Sequence, residues 1–155
     1  MATGVFDLLH PGHIAFLNEA KKLGDELVVV VARDSTAKRL KHPPITPESS
    51  RLEMVRALKP VDRAVLGNEG NIYEILADLR PNVIVLGYDQ VHTEEKVLEE
   101  CRKRGLRDTR VVRLSKFEGD LDGTRKIVRR VADWLALQEK LQAVEGSPKE
   151  PPVRT

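Results

Sequence analysis

Gly4-Val5-Phe6-Asp7-Leu8-Leu9-His10-Pro11-Gly12-His13 sets two imidazoles three residues apart where a short strand gives way to a helix. From background residue frequencies, Gly-x-Phe-Asp-x-x-His-x-Gly-His arises by accident on the order of once in a million chains of this size. Each position has a physical reason if the ligand is a nucleoside triphosphate. Gly4 ends the first strand without a side chain, letting the main chain approach phosphates closely. Pro11 suits a first helical position, where its missing N–H would be unpaired anyway. The helix is predicted from about Pro11 to Leu23, with Ile14, Ala15, Leu17 and Ala20 on its buried stripe and Gly24 as its stop. Its free N–H groups and positive dipole end face an anion, and His10 and His13, one turn apart, can reach one phosphate together. The blander readings are two loop histidines, or a metal site in which both join Asp7. No fourth ligand cluster stands out, and His42 and His92 read as solvated loop residues.

Outward from this motif, short β-branched runs alternate with amphipathic stretches. Leu27 to Ala32, Ala64 to Leu66, Val83 to Leu86 and Arg110 to Leu114 read as strands. Between them, Pro47 to Leu58 reads as a helix capped by Thr46, and Ile72 to Leu79 as one capped by Asn71 and stopped by Pro81. Thr93 can cap a helix to Arg104 that ends at Gly105. A last helix, from about Gly123 to Leu141, is predicted to bury Ile127, Val131, Trp134, Leu135 and Leu141. Nearly all-apolar strands separated by helices imply a parallel sheet covered on both faces, a doubly wound α/β fold. Ligands in such sheets bind at the carboxyl ends of the strands, where the first motif falls. Only Met1-Ala2-Thr3 precede Gly4, so the first strand is short or the natural start lies upstream.

The 155 residues fit one domain, 1–144, followed by a Pro-rich segment, 145–155, expected to be disordered. Lys and Arg number 26 against 24 Asp and Glu, a net +2 that gives no reason to expect general nucleic-acid binding. Any basic site must be local. The single cysteine, Cys101, excludes a disulfide within one chain and reads as a small core residue. No apolar run approaches the roughly 18 residues of a membrane span, so a cytoplasmic protein without a membrane partner is expected.

Four further features bear on chemistry. Lys41 opens a Pro-rich loop after a basic segment, where a mobile cation could cover a substrate and neutralise charge; Lys38 and Arg39 fit a solvated helix face as well. Arg51 is polar in an amphipathic helix and would pair with Glu48 or lie in water. Asp89 in Leu86-Gly87-Tyr88-Asp89-Gln90 follows an apolar strand directly and could hydrogen-bond a ribose or base, or be an ordinary turn aspartate. Asp122-Gly123-Thr124-Arg125-Lys126 precedes the last helix, where backbone N–H groups, the Thr124 hydroxyl and the Arg125 guanidinium suit a leaving pyrophosphate; a capped helix with surface charge is the alternative.

With these residues in view, the chain resembles the superfamily of cytidylyltransferases and adenylyltransferases, whose first motif matches Gly4 to His13. Within it, the segments Val31 to Asp34, Glu53 to Asp62 and Val85 to Gln90 are most similar to the archaeal FAD synthases, the likeness running from about Thr3 to Val131. The resemblance implies a Rossmann-like nucleotidyltransferase fold and transfer of AMP from ATP to FMN, giving FAD and pyrophosphate. It implies catalytic roles for His10, His13, Lys41 and Arg125, and nucleotide contacts from Gly4, Val5, Phe6, Asp7, Gly12, Asp89 and Thr124. It also implies a divalent cation, Mg2+, bridging phosphate oxygens with few protein ligands. The family's Ile-Ser-Ser/Thr signature before the last helix is replaced by Leu121-Asp122-Gly123-Thr124-Arg125, and only Thr124 and Arg125 carry over.

Three competing functions remain at this point: a CTP-dependent cytidylyltransferase acting on glycerol 3-phosphate or another small phosphate, a noncatalytic nucleotide-binding regulator, and an aminoacyl-tRNA synthetase fragment. The regulator fits poorly with an intact histidine pair, and the chain has no room for a synthetase's further domains. A flavin pocket needs apolar or aromatic walls, for which Phe6, Tyr73, Tyr88 and Phe117 are the candidates. A homodimer through the last helix stays open beside an intramolecular role for its stripe.

Overall fold

The computed structural model of the chain describes residues 1–40 and 43–145. Its elements run β1 (Ala2–Gly4), α1 (Pro11–Lys21), β2 (Val28–Val31), α2 (Asp34–Leu40), α3 (Glu48–Arg56), β3 (Arg63–Leu66), α4 (Ile75–Leu79), β4 (Val83–Leu86), α5 (Glu94–Lys103), β5 (Arg110–Arg113) and α6 (Thr124–Glu145). The strands form one sheet in the order β3-β2-β1-β4-β5, every neighbouring pair parallel. This is the doubly wound arrangement expected from the alternating pattern. The chain steps outward from β1 to β2 and β3, then returns to lay β4 on the other side of β1. That reversal opens a crevice at the carboxyl ends of β1 and β4.

Alternation along β4 shows both faces covered. Val85 joins the core of Leu17 and Ala20 from α1 and Val55 from α3, while Ile84 and Leu86 point to the other core, with Leu76 of α4 and Val97 and Cys101 of α5. Cys101 is fully buried there, as its spacing implied.

The local expectations are met in part. β1 has three residues, and its ladder is extended by the Val85 N–H donating to the Met1 carbonyl at 2.8 Å. Thr46 does not cap α3, whose N-cap is Pro47 with no side-chain hydrogen bond. The Thr46 hydroxyl donates to Asp7 instead. α4 starts at Ile75 rather than Ile72, because the Asn71 side chain closes a turn by accepting from the Tyr73 N–H, and it ends on Arg80 in the left-handed region, at φ 44°. Thr93 does cap α5, accepting from the Lys96 N–H.

The largest departure is α6. Val131, Trp134, Leu135 and Leu141, predicted to be buried, are each about half exposed, and only Ile127 is partly covered. The periodicity was that of an amphipathic helix, but among the described residues neither core includes an α6 side chain. Among the described residues no helix is long and apolar enough to cross a membrane. Lys41, His42 and the segment 146–155 lie outside the described residues.

Candidate active site

The crevice is a cleft of about 1430 Å³ lined by both sides of the sheet's reversal point. Gly4, Val5, Phe6, Asp7, His10, Gly12, His13, Asp89, Thr124 and Arg125 all line it, so segments from opposite ends of the described chain meet there. Lys41 is the one expected site residue that cannot be placed, being outside the described residues.

The turn from β1 into α1 is unusual backbone. Phe6 and Leu8 adopt φ values of 55° and 45°, a region costly for residues with side chains and found where surrounding contacts impose it. Those contacts are visible. The Phe6 ring is buried and lies 5.3 Å from the His13 ring, centroid to centroid. A Cβ at Gly4 would sit 2.8 Å from that Phe6 ring. The room Gly4 leaves is therefore filled by Phe6, a different reason for the glycine from the close phosphate approach expected. A Cβ at Gly12 would sit 2.5 Å from the Asp122 carbonyl oxygen and 3.0 Å from His10 Nδ1, which explains that glycine by close approach of the two segments.

Pro11 opens α1, and His10 is its N-cap, with Nδ1 accepting from the His13 N–H at 3.3 Å. A neutral His10 accepting at Nδ1 carries its proton on Nε2. The His10 and His13 rings stack, centroids 3.7 Å apart and planes 20° from parallel. Burial holds the His10 imidazole below its ordinary pKa, against the pull of the Asp122 and Asp89 carboxylates.

Asp7 has two partners on a neighbouring segment. Its carboxylate accepts from the Ile45 N–H at 2.8 Å, the Thr46 N–H at 3.0 Å and the Thr46 hydroxyl at 2.7 Å. Burial favours the neutral acid, but these three hydrogen bonds and the nearby Arg51 outweigh it and hold the pKa below the usual range. The Thr124 hydroxyl donates to the Asp7 carbonyl oxygen at 2.9 Å, tying the first turn of α6 to the motif loop. Two helix N-termini thus face the same cleft, each with the positive end of its dipole toward it. Arg125 and Lys126 are exposed beside it, and Lys126 bonds the Asp122 carboxylate at 2.8 Å.

Arg51 overturns the expectation of a surface pair with Glu48. It is fully buried, and its guanidinium donates to the carbonyls of Thr46, Val5 and Ala32 and to the Asp34 carboxylate. Glu48 pairs with Arg33 instead, at 2.8 Å. His92 is likewise not a plain solvated residue: half-buried, its Nδ1 lies 3.0 Å from the Tyr73 hydroxyl. Of the four candidate flavin walls, Phe6 is buried beneath His13, whereas Tyr88 and Phe117 are about half exposed. Sequence reasoning also passed over Lys116, which lines the cleft after β5 with Nζ 6.0 Å from the Tyr88 ring centroid. Its only sequence signal is a lysine three residues past a strand, which is weak.

Residues 1–139 match the cytidylyltransferase-like family model. The chain is 62% identical to the FAD synthase of Aciduliprofundum boonei over 134 residues, 86% of this chain and 89% of that protein. It is 51% identical to the FAD synthase of Archaeoglobus profundus over 146 residues, 94% and 92% of the two chains. Among solved structures, the lipopolysaccharide core biosynthesis protein from Thermoplasma volcanium superposes with a TM-score of 0.73 at 52% identity, covering 76% of this chain and 96% of that one.

Proposed function

The chain belongs to the cytidylyltransferase-like family, and from that premise we infer that it is an FMN adenylyltransferase, transferring AMP from ATP to FMN with release of pyrophosphate and formation of FAD. The observation that carries the chemistry is the stacked His10–His13 pair at the N-terminus of α1, faced by the N-terminus of α6 across the Thr124–Asp7 hydrogen bond.

In the reaction an FMN phosphate oxygen attacks the α-phosphorus of ATP as the bond to the bridging oxygen of pyrophosphate breaks. Nothing covalent is asked of the protein, so positioning and neutralisation of developing charge carry the rate. On this reading His10 and His13 contact the triphosphate and stabilise charge as pyrophosphate departs. Thr124, Arg125 and the N-terminus of α6 receive the leaving group, and Lys41 adds a cation. Asp89 belongs to the nucleoside pocket. Gly4, Val5, Phe6, Asp7 and Gly12 shape the nucleotide loop, with Asp7 acting through the segment at Ile45 and Thr46 that it fastens.

Among the described residues no group of three or more His, Cys, Asp or Glu side chains is gathered as a metal cage. A divalent cation such as Mg2+ would then be carried chiefly by the triphosphate oxygens, with few protein ligands. When bound, such a cation draws off phosphate charge and lowers the barrier to displacement. A cytoplasmic enzyme is the natural setting for ATP and FMN as substrates, and no nucleic-acid or membrane partner enters the reaction. The half-exposed α6 stripe favours a homodimer as the working form.

A pyrophosphate-release assay crossing ATP and CTP with FMN and glycerol 3-phosphate, with product separated by chromatography, tests the reading. FAD from ATP plus FMN alone is the expected result. A CTP-dependent product would move the chain to the cytidylyltransferases, and binding without turnover would make it a regulator.

A further inference from the structure

The loop after β4 is held by a side chain that does not itself line the cleft. Arg113, the last residue of β5, lies opposite Leu86 in the parallel register. One guanidinium nitrogen donates to the Gly87 carbonyl at 2.8 Å and to the Gln90 carbonyl at 3.2 Å, and the other donates to the His92 carbonyl. Its Nε lies 3.4 Å from a Glu94 carboxylate oxygen. One fork thus collects carbonyls from both ends and the middle of the turn 87–92. The far side of the same turn is fastened to β1, where Gln90 Nε2 donates to the Thr3 carbonyl. Between these fastenings stand Tyr88 and Asp89, both exposed at the cleft.

A six-residue turn has many conformations, and ordering each residue opposes closure by roughly 1 to 2 kcal/mol of conformational entropy. Three carbonyls converging on a planar cation select one of them, which a lysine's single point charge could not do in the same geometry. We propose that Arg113 is a positioning residue for adenylyl transfer, clamping the Gly87–His92 turn so that Asp89 is presented to the ATP nucleoside. The proposal rests on the placement of Asp89 in the nucleoside pocket stated above. Arg113 itself meets neither substrate.

The Arg113 side chain is 27% exposed, so water can replace its bonds to the turn and Arg113→Met should fold. Asp89→Asn, Arg113→Met and the double variant are compared with the intact protein for KM of ATP, KM of FMN, thermal midpoint and amide hydrogen exchange. Arg113→Lys serves as a second, milder variant. The expected result is a rise of about tenfold in KM for ATP in each single variant, with the double variant only about twofold beyond either, because both act at one contact. KM for FMN should stay unchanged, and exchange should quicken at residues 88–92 in Arg113→Met but not in Asp89→Asn.

A KM for ATP near the intact value in Arg113→Met, alongside a raised one in Asp89→Asn, overturns the clamp. So does a double variant in which the two effects multiply in full. An unchanged KM for ATP in Asp89→Asn overturns the nucleoside placement of Asp89 itself, and the role given to Arg113 falls with it. Loss of fold in Arg113→Met passes the question to Arg113→Lys, read by the same ratio of ATP to FMN effects.

Discussion

His10 and His13 stack face to face with ring centroids 3.7 Å apart, and the Nδ1 of the first accepts the backbone N–H of the second. Two imidazolium ions at that separation would repel by about 4 kcal/mol at an effective dielectric near 20. The pair therefore takes up at most one proton easily, and burial already disfavours protonation of His10. A neutral His10 ring offering its Nε2–H to a phosphate avoids locking the leaving group in place, while still answering charge as it develops.

The depressed His10 pKa makes stability pH-dependent with a definite sign. The unfolded chain takes up a proton near pH 6.5, whereas folded His10 resists until lower pH, so the unfolded state binds more protons in between. His92 is shifted the same way, by burial and then by Arg113. Both histidines should therefore cost stability as the pH falls below about 6.5, and the Met1 amine, which burial also holds below its ordinary value near 8, adds a shallower loss of the same sign beginning at about pH 8. Urea unfolding across that range checks it. His10→Asn should have a shallower slope, and an equal slope in the variant would remove His10 from the explanation.

Truncating either histidine should lower turnover with little change in fold. Both rings line the cleft rather than either core. His10→Ala or His13→Ala is expected to reduce kcat by roughly two to three orders of magnitude, the scale seen when a developing charge loses a donor. His10→Ala also forfeits the helix cap, for about 1 kcal/mol of stability. Steady-state pyrophosphate release beside a thermal melt separates the two effects, and near-normal kcat in a folded variant would strike that histidine from the catalytic set.

Arg51 is expected to matter more for the fold than its helical surface pattern suggests. Its removal leaves the carbonyls of Val5, Ala32 and Thr46 without their donor in the interior. Arg51→Met should cost about 3 to 5 kcal/mol, and Arg51→Lys nearly as much, since an ammonium cannot span four acceptors in a plane. A loss of less than about 1 kcal/mol in unfolding free energy, measured by urea denaturation, would mean that the interior rearranges around the loss.

The parallel sheet was legible because its strands are short β-branched runs with helices between them, and such a pattern permits few other arrangements. Val28 to Val31 reads as a doubly covered strand on sight. The motif was legible for a different reason, since His10, Pro11 and His13 act over a few residues of local backbone. Arg51 and Arg113 were not, because each acts on carbonyls of segments distant in sequence, and a lone arginine carries no mark of what it will reach. Asp7 was placed in the right loop, yet its carboxylate is turned to Ile45 and Thr46, a pairing 38 residues away that no spacing rule discloses. In α6 the period was correct and its destination was not. Amphipathicity tells that a face is to be covered, and it does not tell by what.

That last face yields a test of assembly. Val128, Val131, Trp134, Leu135 and Leu141 recur at intervals of three, four and seven residues and remain 44 to 57% exposed, along about 20 Å of helix. A monomer rarely leaves so continuous an apolar stripe in water, and a second copy offers a matching one by symmetry. Sedimentation at micromolar concentration should give twice the 17.4 kDa chain mass. Trp134→Glu combined with Leu135→Glu should return it to a single chain, because a buried carboxylate pair is costly at a two-fold interface whereas the same changes on a solvated helix alter stability by no more than about 0.5 kcal/mol. A monomeric intact protein would leave the stripe to some other partner, and a dimer that survives the double variant would place the interface elsewhere on the chain.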